Sequence, residues 1–233
     1  MNTFRPEIFF EDIVGQDYAI NLLTNAIKKK KIAPAYLFIG PEGVGIKLTA
    51  LRFLEAFINT NCTKRDIRKR LENRNHQDLL WIEPGYLHQG KVIPKSIAHK
   101  EKINQRAIAQ IRLDQIKSIN NFLSKKPLET SLGMVLIEGV ETMNESAANA
   151  LLKTLEEPNN GIFILITDRA ETLLNTIRSR CQQINFNRLS NDYIREIFHN
   201  HSRTLKIEES INNYKEELIA LANGSPGAVK KHI

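Results

Sequence analysis

A glycine-rich turn between an apolar run and a helical segment sets the strongest limit on the fold of this chain. The run AYLFI (Ala35–Ile39) leads into GPEGVGIKLT (Gly40–Thr49), and LTALRFLEAFI (Leu48–Ile58) then has the apolar spacing of a helix. A buried strand that stops at glycines and continues into a helix is the setting of a phosphate-binding loop. We therefore predict an α/β fold with this strand inside a parallel sheet.

Further segments extend the same alternation along the chain. Strands are predicted from short apolar runs, at Ala35–Ile39, Leu79–Ile82, Met134–Ile137, Ile162–Thr167 and Gln183–Phe186. Helices are predicted from amphipathic spacing, at Asp17–Lys30, Leu48–Ile58, Gln110–Leu123 and Asn144–Leu155. The mixed, basic stretch Pro84–Glu101 is predicted as a long loop. The fold class is thus a five-stranded parallel sheet flanked by helices.

The strand pattern ends near Arg188, and the rest of the chain has helical signals only. Helices are predicted from Ser190 through His199, over Lys215–Ala222 and from Pro226 onward. We therefore predict an α/β core over residues 1–187, followed over residues 188–233 by a small α-helical lid domain that is incomplete.

The charge of the chain favours a polyanionic neighbour. The formal net charge is +7, and two basic blocks stand out, at Lys28–Lys31 and at KRDIRKR (Lys64–Arg70). Each block is typical either of a solvated helix face or of a nucleic-acid contact. No apolar run approaches the roughly 18 residues of a membrane span, so a cytoplasmic protein without membrane partners is expected.

The glycine-rich loop departs from a working phosphate-binding loop at two positions. Gly40 and Gly45 have the spacing of G-x-x-x-x-G-K-[ST], but Ile46 stands where lysine belongs and Lys47 where the hydroxyl belongs. One helical residue is about 100° of rotation, so we expect the Lys47 ammonium to point away from bound phosphates. The backbone cradle at Gly43 and Gly45 is retained, which leaves weak binding of phosphate or nucleotide open.

The strand MVLI ends where an ATPase would hold its metal and activate water. Glu138 occupies the metal-ligand position, and Gly139 occupies the position of the catalytic acid. A glycine cannot orient or deprotonate water. Glu141 lies beyond the strand and is predicted to be a surface acid. The sequence therefore indicates a relic of an ATPase site.

An ordered series of segments resembles a known family. The segments are FEDIVGQ, AYLFIGPEGVG, EGVETMNESAANALLKTLEEP, FILITDRAETLLNTIRSRCQ and NGSPGAV. Together they resemble the AAA+ clamp-loader subunits of bacterial DNA polymerase III, most closely the delta-prime branch. The resemblance implies a complex with gamma/tau and delta subunits that loads the sliding clamp onto primed DNA. It also implies that delta-prime acts as a stator.

The resemblance assigns roles to particular residues. In this family a serine-arginine-cysteine motif supplies an arginine to ATP bound by the neighbouring subunit, and Ser179, Arg180 and Cys181 match that motif. Arg180 is thus the candidate arginine finger, with Arg178 as its local competitor. The alternative to a catalytic role is that either arginine forms a surface ion pair.

Two further family positions are altered or unremarkable. Thr167 stands where the first sensor residue of the family would be, and the second-sensor arginine falls near Gly227.

Many relatives carry a zinc module after the loop helix, but only Cys62 and His76 are found there, whereas structural zinc needs four ligands. No metal and no required cofactor are expected. The collar domain of relatives is expected to be absent.

Two other functions compete with this interpretation. An active gamma/tau-like ATPase would require a shifted loop that uses Lys47 together with a substitute base. A simple DNA-binding module would rest on the basic blocks alone, and its affinity would fall steeply with salt.

Overall fold

The computed structural model describes residues 4–60, 66–100, 108–158, 161–205 and 215–229. Its strands are β1 (Ala35–Ile39), β2 (Leu79–Ile82), β3 (Gly85–His88), β4 (Lys91–Pro94), β5 (Gly133–Glu138), β6 (Gly161–Thr167) and β7 (Gln182–Asn185). Its α-helices are α1 (Asp17–Lys28), α2 (Ile46–Asn59), α3 (Ile67–Glu72), α4 (Lys95–Lys100), α5 (Leu113–Leu123), α6 (Glu145–Glu156), α7 (Asn175–Arg180), α8 (Asn191–Leu205), α9 (Lys215–Ala222) and α10 (Pro226–Val229).

Five parallel strands form the central sheet in the order β2-β5-β6-β1-β7. Alternate side chains of each strand enter two separate cores. Phe38 and Leu136 pack with α1 and α2 on one face, whereas Leu37 and Val135 pack with α5 and α6 on the other. Both faces of the sheet are buried, which explains why its strands are apolar throughout. The predicted five-stranded α/β fold is confirmed.

The prediction of a long loop at Pro84–Glu101 is wrong. Most of this segment forms the antiparallel hairpin β3-β4 and then helix α4, and Glu101 lies outside the described residues. The hairpin turns at Gln89 and Gly90, whose φ angles are 49° and 76°. Positive φ at both central residues is the geometry of a type I′ turn.

The helices after residue 188 bury a small core of their own. It contains Leu189, Ile194, Ile219 and Ala222. Helix α10 begins at the predicted Pro226, while the exact boundary between core and lid stays a prediction. In the described part of the chain no helix is long and apolar enough to cross a membrane.

Asp78 ties the loop after α5 to the start of β2. Its buried carboxylate accepts hydrogen bonds from the amides of Leu128, Glu129 and Thr130 and from the Thr130 hydroxyl, at 2.7–3.0 Å. Burial alone would raise the pKa of Asp78, but these hydrogen bonds outweigh it and hold the pKa below its usual value. The carboxylate is therefore stabilised in its ionised form.

We expect Asp78→Ala to lower the free energy of unfolding at pH 7 by about 2–4 kcal/mol, because three amides lose their acceptor. The folded pKa lies below the unfolded one, so this stability is present above the unfolded pKa of about 4 and is lost as pH falls further. Urea denaturation at pH 7 and pH 3 should show the wild-type advantage shrinking in acid. An advantage that stayed constant with pH would contradict the assignment.

Candidate functional site

The glycine loop between β1 and α2 has a backbone conformation that depends on its glycines. Gly43 and Gly45 have φ angles of 88° and 100°, a region that favours glycine. Gly40 is equally constrained, because a Cβ there would lie 2.6 Å from the Phe186 carbonyl oxygen. The amide of Gly40 donates to Thr167 O at 3.1 Å, which joins the loop to the end of β6.

The carbonyl groups of this loop are held by distant segments of the chain. The donors are Ser225 Oγ to Glu42 O (2.5 Å), Gly227 N to Gly43 O (3.0 Å) and Gln16 Nε2 to Val44 O (3.2 Å). A Cβ on Gly227 would lie 2.7 Å from Gly43 Cα, so no side chain fits there without moving the backbone. Helix α10 therefore packs directly on the loop where the family resemblance would put an arginine.

The side chains of Ile46 and Lys47 lie in different surroundings, the first in the core and the second beside Glu138. Ile46 is 6% exposed and belongs to the core beneath α2. Lys47 Nζ instead forms an ion pair with Glu138 Oε2 at 2.8 Å. The ammonium that we expected to point away from the phosphates thus binds the carboxylate that would ligate a metal in an ATPase.

Glu138 has hydrogen-bond or ion-pair partners at both of its oxygens. Trp81 Nε1 donates to Oε1 at 2.5 Å, and Arg74 Nη2 lies 3.6 Å from the same oxygen. The Arg74 guanidinium and the Lys47 ammonium also lie 4.2 and 5.7 Å from the centre of the Trp81 ring, within the range of cation–π attraction. A divalent cation at Glu138 would compete with two resident cations.

The position at which an ATPase carries its water-activating acid holds no acid in this chain. Gly139 occupies it with φ of 64°, so an acidic residue placed there would be strained. The prediction of Glu141 as a surface acid is wrong. Its carboxylate is half-buried and accepts a hydrogen bond from Thr167 Oγ1 at 2.8 Å, and burial raises the pKa of Glu141. Sequence spacing gave no signal for this contact.

The serine-arginine-cysteine motif spans the end of α7 and the residue after it. Arg180 is the last residue of α7, where Nη1 donates to Thr176 O at 3.1 Å and Nη2 to Glu156 Oε1 at 2.7 Å. Ser179 Oγ donates back to Thr176 O at 3.1 Å. Burial raises the pKa of Cys181 to about 11, so its thiol is protonated at neutral pH and serves packing.

Arg180 and the glycine loop lie at opposite edges of the sheet. In the parallel neighbours β1 and β7, Tyr36 pairs with Gln182 and Ile39 pairs with Asn185. Arg180 therefore lies just before the start of β7, whereas the glycine loop follows the end of β1. From Tyr36 to Gly40 the strand rises about 13 Å, at about 3.3 Å per residue. Because an arginine side chain is shorter than this, the Arg180 guanidinium does not reach a phosphate held in its own loop.

Arginines of the second basic block are used within the fold. Arg68 pairs with Glu55 at 2.9 Å, Arg70 with Glu129 at 2.5 Å, and nearby Arg74 with Glu83 at 2.6 Å. Arg68, Arg70 and Arg74 are thus paired within the fold, whereas Lys64 and Arg65 lie outside the described residues. Cys62, one of two residues considered for zinc, lies outside the described residues.

Similar solved structures define the class of fold. A DNA polymerase III gamma subunit-related protein from Thermotoga maritima aligns with 90% of this chain over 70% of its own length, with a TM-score of 0.50 and 19% identity. The RuvB Holliday junction branch migration motor of Thermotoga maritima matches 94% of this chain and 60% of its own, with a TM-score of 0.56 and 15% identity. The chain therefore has a RecA-like α/β fold.

Sequence comparison narrows the class to one family. The family described as "DNA polymerase III, delta subunit" matches residues 15–190, and the chain belongs to this clamp-loader family. The delta' subunit of Bacillus subtilis is 33% identical over 73% of this chain and 47% of its own length. The tau subunit of the same organism is 31% identical over 82% of this chain and 31% of its own length. The chain thus spans about a third to a half of these relatives.

Proposed function

We propose that this chain is a delta-prime-type stator of the DNA polymerase III clamp loader. It does not hydrolyse ATP itself. It supplies Arg180 to ATP bound by a neighbouring subunit while the complex loads the sliding clamp onto primed DNA. Its partners are gamma/tau and delta subunits in the cytoplasm, and it reaches the clamp and DNA through the complex.

One observation carries this proposal: the chain's own loop lacks catalytic groups, while Arg180 stands at the opposite edge of the sheet. Ile46 replaces the phosphate-binding lysine, and Gly139 replaces the acid. An exposed guanidinium that cannot reach its own loop is suited to act on another subunit. A fixed guanidinium stabilises the charge that develops on a transferring phosphoryl group.

The same contacts support a site that requires no cofactor. Lys47 places a positive charge on Glu138, where an ATPase would use a divalent metal. Helix α10 packs against the carbonyl side of the loop through Gly227. Any nucleotide or phosphate held by the remaining amides of the cradle is expected to bind weakly.

The second candidate function is an active gamma/tau-like ATPase, and it is favoured by the comparable identity to tau. It would require Lys47 to leave Glu138 and a base such as Glu141 to replace the missing acid. The two candidates differ in a property of the isolated chain, namely its own ATP turnover.

We expect the isolated chain to show no ATP turnover above background and a nucleotide dissociation constant weaker than about 1 mM. Trp81 is the only tryptophan in the sequence, and its indole contacts Glu138, so its fluorescence reports on the site. Titration with ATP and Mg²⁺, compared with ATP and EDTA, should leave the emission unchanged below millimolar concentrations. A saturable, Mg²⁺-dependent change with steady turnover would favour the active ATPase.

A further inference from the structure

The guanidinium of Arg180 contacts Glu156, an acid within the segment EGVETMNESAANALLKTLEEP to which the sequence assigned no role. Arg180 ends α7 and Glu156 ends α6, and the two side chains meet at 2.7 Å. The second contact, to Thr176 O, lies one helical turn back within α7. Within the part of the chain that the structure describes, Glu156 is thus the hydrogen-bond and ion-pair partner of Arg180 outside α7.

The pair satisfies an electrostatic need at the end of α6. A carboxylate on the last residue of a helix lies at the negative end of the helix dipole. The positive guanidinium of Arg180 offsets the charge of the Glu156 carboxylate and that of the α6 terminus. The side chains of Arg180 and Glu156 are 35% and 52% exposed, and such surface pairs add little to folding stability. The contact therefore has more effect on the direction of the arginine than on the fold.

The geometry leaves Arg180 free to bind a phosphate while it is held. A guanidinium carries five N–H donors, and the two contacts use one hydrogen on each terminal nitrogen. An arginine that is already ordered loses less rotamer entropy when it binds a phosphate. Holding the side chain in place thus lowers the entropic cost of the trans contact.

We propose that Glu156 is a positioning residue for Arg180, an inference that rests on the function proposed above. Its carboxylate orders the guanidinium at the amino edge of the sheet before a neighbouring ATP site forms against it. Glu156 takes no part in the chemical step itself and acts only through Arg180.

The test is the ATP turnover of a reconstituted complex that carries Glu156→Gln and in which only the ATP site served by Arg180 has been left active. We expect kcat to fall about tenfold, since small misplacements of a catalytic group are costly, while KM for ATP and the Tm of the chain change little. Glu156→Asp should recover part of the rate because it keeps the charge. Glu157→Gln, which neutralises the adjacent acid, is the matched control and should behave as wild type.

A double-mutant cycle with Arg180→Ala separates this inference from the proposed function. If Glu156 acts through Arg180, Glu156→Gln has no further effect once Arg180 is gone. Wild-type turnover for Glu156→Gln, faster turnover, or an equal loss in the Arg180→Ala background would each overturn the positioning role. If Arg180→Ala itself leaves turnover unchanged, the proposed function fails, and the positioning role fails with it.

Discussion

Arg180→Ala is expected to lower ATP turnover at the neighbouring site by about 10³-fold, the lower end of the range for arginine fingers. Alanine removes the donors that stabilise charge on the transferring phosphoryl group and adds nothing in their place. Several ATP sites of a clamp loader work in one complex, so the loss must be measured at one site. A complex whose other ATP sites have been inactivated by mutation isolates it, with steady-state phosphate release as the measurement.

Two variants sharpen this experiment. Arg180→Lys keeps the positive charge but loses the planar fork of donors, so it should recover little of the rate. Arg178→Ala removes the other arginine of the same short helix and should cost far less. If Arg178→Ala lowers turnover more than Arg180→Ala does, the finger is misassigned. If neither Arg178→Ala nor Arg180→Ala slows turnover, the stator does not act through this motif.

Arg52→Ala is expected to lower the free energy of unfolding by about 3–5 kcal/mol, because it removes one partner of a buried ion-pair network. The Arg52 side chain is 4% exposed and pairs with Asp12 at 2.6 Å, with Glu72 at 2.7 Å and with Glu55 at 3.5 Å. It thereby joins the N-terminal segment, α2 and α3. Without it Glu72 loses its partner at 2.7 Å, and Asp12 and Glu55 keep only Arg68, at 3.8 and 2.9 Å.

Differential scanning calorimetry measures this loss as a fall in Tm of about 6–20 °C, at about 2–4 °C per kcal/mol for a chain of this size. The matched control is Arg169→Ala, whose exposed ion pair with Asp168 should be worth less than about 1 kcal/mol. Equal effects of the two variants would contradict the structural role assigned to Arg52.

The strands of the sheet could be predicted because both of its faces are buried. Runs such as AYLFI and IFILIT have no polar face to confuse the pattern, and their bounds agree with β1 and β6 within one residue. The hairpin β3-β4 was missed because its turn, Gln89-Gly90, lacks the asparagine or aspartate that usually precedes glycine in such turns. Its partly exposed, mixed strands also resemble an irregular loop.

The altered positions of the site could be predicted, but their contacts could not. The replacement of lysine by Ile46 and of the acid by Gly139 depends on local spacing, which sequence reveals directly. The pair between Lys47 and Glu138 depends on how α2 and β5 are placed, and the contact of Glu141 with Thr167 depends on the turn after β5. Tertiary structure determines these contacts, so they have no local signature.

The most direct test of the central claim is ATP hydrolysis by a gamma/tau-type subunit as this chain is added to it together with a delta subunit. We predict that this chain has no turnover alone, that wild-type chain stimulates the partner's turnover in a saturable way, and that the Arg180→Ala chain assembles but does not stimulate it. Equal stimulation by wild type and Arg180→Ala, or turnover by this chain alone, would contradict the account.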